Sequence, residues 1–251
     1  MILAFDVEGF AKWICIVTRM VLCSLIHARS DKLHSFGLKY FGPGLSCILQ
    51  RPESFFTDSR DVYFHRNPFE NLPTMTTTLH VFEEPARVEQ SLANSNWLRK
   101  TYPDLNMKDM YPRNIICSGT TLGGKPAMDM YARAMVHQFD VTQSTRLGGD
   151  QGHNNFLIHT NKLVGIPNIT NITIHEKGRG LVNTVGLIAK LRGPLSEVGL
   201  LRNGTVWNSD GTISPVVHMF DRDQELKDIQ HNRSLEELAK WNELLHQYSS
   251  S

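Results

Sequence analysis

Short apolar runs bounded by turn residues recur along the chain, and they predict β-strands. They lie at Ser54–Thr57, Leu79–Phe82, Asn114–Cys117, Ile169–Ile174 and Thr184–Ile188, with earlier candidates at Met20–Ile26 and Ser46–Gln50. Between them apolar residues recur at helical spacing, most clearly after Pro126, where Met128, Tyr131, Ala132, Met135 and Phe139 share one face. Strands that alternate with helices predict an α/β fold, a mixed sheet flanked by helices.

The pattern changes near the end of the chain. Leu200–Phe220 contains Asn203-Gly204 and Asp210-Gly211, two dipeptides typical of tight hairpin turns, so a small antiparallel segment is predicted there. Ser234 followed by Glu237 matches a capping box. A closing amphipathic helix is therefore expected to begin at Ser234, with Leu235, Leu238, Trp241, Leu245 and Tyr248 on its apolar face.

Composition narrows the class of protein. The chain has 251 residues, 41% of them hydrophobic and 20% charged, which is typical of a globular protein, and no repeat or linker divides it, so a single domain over 1–251 is predicted. Because 26 Lys and Arg face 25 Asp and Glu, no basic field favours a nucleic-acid partner.

The N-terminal segment leaves the cellular location open. The apolar stretch Phe10–Ile26 is interrupted by Lys12 and Arg19, whose charges disfavour a membrane-spanning helix. Membrane association therefore stays undecided. Four Asn-x-Ser/Thr tripeptides, at Asn168, Asn171, Asn203 and Asn232, permit a Golgi or secretory location in a eukaryote; otherwise a cytoplasmic one is expected.

Two aspartates directly follow a predicted strand. Asp58 and Asp61 stand where the chain leaves the sheet, and two carboxylates there can hold a hard divalent cation. The alternative is structural, with Asp58 capping a turn and Asp61 paired with Arg60 or Arg66. His218 ends the apolar run Pro215–His218, and a lone strand histidine of this kind is more often structural.

Two further blocks carry polar side chains at predicted strand and helix ends. Cys117–Gly124, with sequence CSGTTLGG, is interpreted as a loop before the Pro126 helix that lines a ligand, or alternatively as a helix entry with small residues for packing. Since no partner histidine can be identified for Cys117, it is expected to be a buried small residue and not a nucleophile. Gly148–Asn155 opens a helix on which Asp150 and Asn154 share a face, unless Asp150 is only a cap.

These blocks together resemble glycosyltransferases of the GT-A fold. Thr57–Phe69 is similar to a TDxRDVxFQxxPF motif with His65 at the Gln position, and CSGTT, the DQxxxN element at Asp150 and a VVHxxDR block at Val216 accompany it over about Ser54 to Ile229. The resemblance implies a nucleotide-sugar donor, a glycan or other hydroxyl acceptor, and Mn²⁺ or Mg²⁺ held by Asp58, Asp61 and His218. It implies that Asp150 positions or deprotonates the acceptor hydroxyl. The substrate-binding candidates are Arg60, Ser118, Gly119, Thr120, Gln151, Asn154, Lys177 and Arg179, of which Lys177 and Arg179 would neutralise a diphosphate.

Two other functions remain open. A GT-A domain begins with a nucleotide-binding half, and 1–53 show an atypical or incomplete version of it, which favours a catalytically inactive carbohydrate-binding or scaffold protein as the alternative. A metal-dependent hydrolase would use the same aspartates but lacks a recognisable ligand cluster, and it ranks last.

Overall fold

The chain folds as a mixed α/β protein. A computed structural model describes residues 53–58, 60–69, 77–144 and 148–249. The described residues contain six α-helices and three separate sheets, none of them closed into a barrel. The strand candidates before Glu53 and the unusual N-terminal segment, including Phe10–Ile26, lie outside the described residues.

The largest sheet has four strands in the order β1-β4-β3-β5. These are β1 (Glu53–Thr57), β3 (Thr78–Arg87), β4 (Asn114–Gly124) and β5 (Asn171–His175). β4 runs antiparallel to both β1 and β3, while β5 pairs parallel with β3. The sheet is therefore mixed, as the alternation of elements predicts.

A second sheet stands beside the first and brings distant parts of the sequence together. Its order is β2-β9-β6, with β2 (Val62–Phe64) antiparallel to β9 (Val216–His218) and β6 (Val182–Thr184) parallel to it. The late hairpin is confirmed: β7 (Leu201–Arg202) and β8 (Thr205–Val206) pair around Asn203-Gly204, both at positive φ.

Helices cover the large sheet. α1 (Leu92–Thr101) and α2 (Met107–Met110) precede β4, α3 (Lys125–Thr142) follows it, and α4 (Gly149–His159) packs against it. On α3 the predicted stripe is confirmed at Met128, Tyr131 and Met135, which join the largest buried cluster with Leu79 and Ile116. The helix begins with Pro126 in its first turn, where a missing N–H costs nothing.

Two predicted strand and loop assignments are wrong. The block Cys117–Gly124 is not a loop but the larger, C-terminal part of β4, which pairs with both β1 and β3. Thr184–Ile188 is not one strand: β6 ends at Thr184 and α5 (Gly186–Arg192) follows, with the Cα of Gly186 packed so close to Met219 that an added Cβ would lie 2.7 Å from its Cβ. Pairing between strands, which local patterns do not encode, decides both cases.

The closing helix begins earlier than its sequence pattern indicates. α6 (Gln224–Ser249) starts after Asp223, whose buried carboxylate accepts the backbone N–H groups of Leu226 and Leu195 at 2.9 and 2.8 Å. Ser234 lies inside the helix, and its hydroxyl donates to the Gln230 carbonyl. Leu235, Leu238 and Trp241 are about half exposed. None of the helices in the described part of the chain is long and apolar enough to cross a membrane.

Candidate metal centre and cleft

Asp58, Asp61 and His218 converge at one end of the two sheets. One ligand atom from each lies within 4.8 Å of the others. The Nε2 atom of His218 is 3.3 Å from Asp58 Oδ2 and 3.7 Å from Asp61 Oδ1. The three candidate ligands named from the sequence therefore lie side by side in the fold.

Backbone pairing brings the three residues together. Asp58 follows β1, and its N–H donates to the Gly119 carbonyl of β4 at 2.9 Å. His218 ends β9, which pairs with β2 in the register Val62 to His218. The chain then turns through Met219, at φ 58°, and the Met219 N–H donates to the Asp61 carbonyl at 2.7 Å. The two sheets thus meet at the ligand atoms.

The donor set fits a divalent cation. Two carboxylates and one neutral imidazole leave coordination positions for water or for phosphate oxygens, as open metal sites do. The imidazole favours Mn²⁺ over Mg²⁺, since Mg²⁺ takes oxygen ligands almost exclusively. Asp61 is 5% exposed and His218 2% exposed, so at least two of the three donors are already withdrawn from solvent.

The electrostatics of the metal-free site centre on His218. Burial alone would lower its pKa, but interactions with Cys117 and with the Asp58 carboxylate raise the pKa well above the usual range. The guanidinium of Arg222 lies 3.7 Å from Asp61 and adds a second positive charge beside that carboxylate. The two aspartates therefore do not simply repel each other, because positive groups stand beside each of them.

Gly119 makes room for the site. A Cβ on this residue would stand 2.5 Å from Asp58 Oδ2 and 2.8 Å from His218 Cε1. Gly119 lies within β4, where its backbone pairs with the Asp58 N–H, so the missing side chain allows the ligands to close over the strand. Its predicted role in substrate binding remains a prediction.

A cavity of about 640 Å³ opens beside the cluster, within the usual range for ligand pockets. It brings together six of the residues predicted from the sequence, namely Asp58, Ser118, Gly119, Asp150, Gln151 and His218. Asp150 lies in the first turn of α4 and accepts a hydrogen bond from the Ser118 hydroxyl at 3.2 Å. The predicted helix start at Asp150 is confirmed, and the structure adds Ser118 as its neighbour.

The amides of α4 hold the strand that carries Ser118. Gln151 accepts the Ser118 N–H at 2.7 Å and donates to the Ile116 carbonyl and to Glu84. Asn155 accepts the Ile116 N–H and donates to its carbonyl, while Asn154 donates to that carbonyl and accepts from Tyr131. Asn154 is fully buried, so the structure gives it a supporting position and not the predicted position against substrate.

The other predicted substrate contacts do not line this cavity. Thr120 is fully buried within β4. Arg60 is on the surface, 3.5 Å from Asp221. Lys177 and Arg179 lie in the exposed loop between β5 and β6, where Arg179 pairs with Glu176 at 3.3 Å. All four residues therefore lie outside the cavity, because their positions depend on strand pairing and loop conformation that the sequence does not reveal.

Sequence reasoning missed several cavity residues, among them Glu84, Trp97, Lys190 and Arg222. Burial raises the pKa of Glu84, partly offset by His218, Gln151 and Cys117. The expectation that Cys117 is a buried small residue is confirmed, since it is 2% exposed. The structure adds a histidine that the sequence did not reveal, because His218 Nδ1 lies 3.2 Å from the Cys117 sulfur. Two of the missed residues could have been found from the sequence. Arg222 is the last residue of the VVHxxDR block that contains His218, and Glu84 is a charged residue inside an apolar strand.

Comparison with protein-family models, with curated proteins and with solved structures finds no match for this chain.

Proposed function

We propose that the protein is a metal-dependent glycosyltransferase that uses a nucleotide-sugar donor. The observation that carries the proposal is the Asp58, Asp61 and His218 cluster beside a cavity that is also lined by a helix-borne carboxylate, Asp150. A cation with open positions beside a polar cavity suits a substrate that carries a diphosphate. The GT-A-like arrangement of the sheet is part of this proposal.

The residues of the cavity divide into two chemical groups. Asp58, Asp61 and His218 would hold Mn²⁺ or Mg²⁺, which when bound supplies charge neutralisation for the departing nucleoside diphosphate. Lys190 and Arg222 line the same cavity and are better placed than Lys177 and Arg179 to add positive charge there. The second group is Asp150 with its partner Ser118.

Asp150 is the proposed base for the acceptor. Its carboxylate accepts a hydrogen bond from the Ser118 hydroxyl and lies at the cavity wall. An acceptor hydroxyl in the cavity would donate a hydrogen bond to this carboxylate, which can then remove its proton as the new bond forms. The acceptor is a glycan or another hydroxyl compound, and no nucleic acid is expected to bind.

A thermal-shift screen of nucleotide sugars with and without Mn²⁺ tests the proposal. A donor at 100 times its Kd stabilises the folded state by about 2.7 kcal/mol, which is readily seen as a shift in Tm. We expect one class of donor to shift Tm only when Mn²⁺ is present, and Asp61→Asn to abolish that shift. Asp129→Asn removes the same charge from the exposed face of α3 and should leave it intact.

Stabilisation by a donor without Mn²⁺, or equally in Asp61→Asn, would refute the metal-dependent mechanism. Stabilisation that depends on Mn²⁺ but is followed by no transfer to any acceptor would instead favour the inactive carbohydrate-binding protein.

The spatial arrangement of the Cys117, His218 and Asp58 side chains supports a second candidate function, a hydrolase with a thiol nucleophile. The sulfur lies 3.2 Å from Nδ1 and the Asp58 carboxylate 3.3 Å from Nε2 of the same ring, which is the arrangement of nucleophile, base and orienting acid. However, Cys117 is 2% exposed in the middle of β4, where a substrate carbonyl has little access. Rapid alkylation of Cys117 by iodoacetamide would favour this candidate over the transferase.

A further inference from the structure

His218 is held from both sides of its ring. Its Nε2 atom faces the two aspartates, and its Nδ1 atom lies 3.2 Å from the sulfur of Cys117. An imidazole that binds a metal through Nε2 needs its lone pair there, so the ring proton must be on Nδ1. That proton then requires an acceptor, because His218 is almost completely buried.

The sulfur is the group in position to accept it. Cys117 has one proton of its own, and its thiol interacts with the carboxyl group of Glu84. Glu84 is in turn fixed by the Gln151 amide, which donates to Oε1 at 2.9 Å. When the His218 ring donates to the sulfur, the thiol proton is left for Glu84 to accept, so that each donor has one acceptor.

We propose that Cys117 is a positioning residue for the metal ligand: its sulfur accepts the Nδ1–H of His218 and its S–H is donated to Glu84, which keeps Nε2 directed at Asp58 and Asp61. The inference rests on the metal site of the proposed function. It assigns the thiol a supporting role behind the ligand, of the kind that orients histidine in many metal sites.

The role explains why a cysteine stands at this place in β4. The side chain at 117 is 2% exposed and has the imidazole of His218 and the carboxyl group of Glu84 as neighbours, so it must fit between the two. A thiol is small and both donates and accepts weakly, and it can satisfy the two neighbours at once. An aliphatic side chain would leave the Nδ1–H without an acceptor.

Mn²⁺ titration followed by electron paramagnetic resonance tests the inference on Cys117→Ala and Cys117→Ser. Alanine removes the acceptor, and we expect the Kd for Mn²⁺ to rise about 10–100-fold. Serine keeps a donor and an acceptor and should restore most of the lost affinity. Ile116→Val is the matched control, because it removes one methyl group from the neighbouring position without touching His218, and its Kd should equal that of the parent.

A second measurement works without metal. In ¹⁵N-histidine-labelled protein at neutral pH, we expect a His218 Nδ1–H resonance that is protected from solvent exchange in the parent and in Cys117→Ser, and is lost in Cys117→Ala. Equal Mn²⁺ affinity in the parent and the alanine variant, serine no better than alanine, or an unchanged Nδ1–H resonance would overturn the inference. If the parent binds no Mn²⁺, the proposed function fails, and the resonance alone decides whether Cys117 positions the ring.

Discussion

Replacing Gly119 with alanine tests whether the cluster binds a metal, because the new methyl group would enter the site itself. The added Cβ would lie 2.5 Å from Asp58 Oδ2, against at least 3.4 Å for an ordinary contact, so the carboxylate oxygen must retreat by about 0.9 Å. Ligand distances in a metal site are tolerated only within about 0.2 Å. The substitution should therefore remove Asp58 from the coordination sphere.

The effect on folding should be small by comparison. Asp58 is partly exposed, so its side chain has room to rotate. Replacing a glycine with alanine inside a strand raises the free energy of unfolding by about 0.5–1 kcal/mol. Overpacking against His218 offsets this gain by about 1–3 kcal/mol. The net loss of unfolding free energy should thus stay below about 2.5 kcal/mol, whereas the Kd for Mn²⁺ should rise by at least about 10–100-fold.

Isothermal titration with Mn²⁺ and urea unfolding in EDTA measure the two effects on the same samples. Gly152→Ala is the control, since its Cβ would meet no described atom closer than 3.5 Å and its position inside α4 favours alanine. It should bind Mn²⁺ as the parent does and unfold at equal or higher urea concentration. Parent-like Mn²⁺ affinity in Gly119→Ala, at a preserved fold, would refute the assignment of the metal site.

Three further predictions follow from the described contacts. Asp58→Asn should lower metal-free stability by about 1 kcal/mol in urea with EDTA, because it removes the partner of a charged His218; unchanged or higher stability would show that the carboxylates only repel. The Kd for Mn²⁺ should rise about tenfold for each unit that pH falls below the raised pKa of His218, since the metal must displace one proton, and a pH-independent Kd would exclude His218 as a ligand. Burial and the neighbouring His175 lower the pKa of His80 to about 4. As the pH falls, the unfolded chain therefore binds a proton at His80 before the folded chain does, and the free energy of unfolding should decrease between about pH 6.5 and pH 4. A pH-independent free energy in urea unfolding, or a pH profile that His80→Gln leaves unchanged, would contradict this.

The sequence was informative where chemistry and local pattern coincide. Asp58 and His218 are 160 residues apart, yet the family resemblance of the two sequence blocks that contain them predicted that they meet. The α3 stripe and the Asn203-Gly204 turn were also predictable, because helical spacing and positive φ are local properties.

What the sequence could not supply depends on partners elsewhere in the fold. The block after Cys117 has the composition of a loop, but pairing with β1 and β3 makes it a strand. Asn154 has the chemistry of a substrate contact, yet it points at the β4 backbone. Asp223, and not the better motif at Ser234, caps α6 because tertiary packing also supplies it with the Leu195 N–H.

The amides of α4 also bear on how the protein avoids self-association. β1 pairs with β4 only from Thr120 to Gly124, so at Ile116 and Ser118 the backbone groups that point away from β3 would form an open edge. Open edges of this kind template strand addition between molecules. Gln151, Asn154 and Asn155 cover this edge with side-chain amides, which imitate the bonds of a neighbouring strand but cannot be extended by another chain. The helix that carries the proposed base thus also closes the sheet against aggregation.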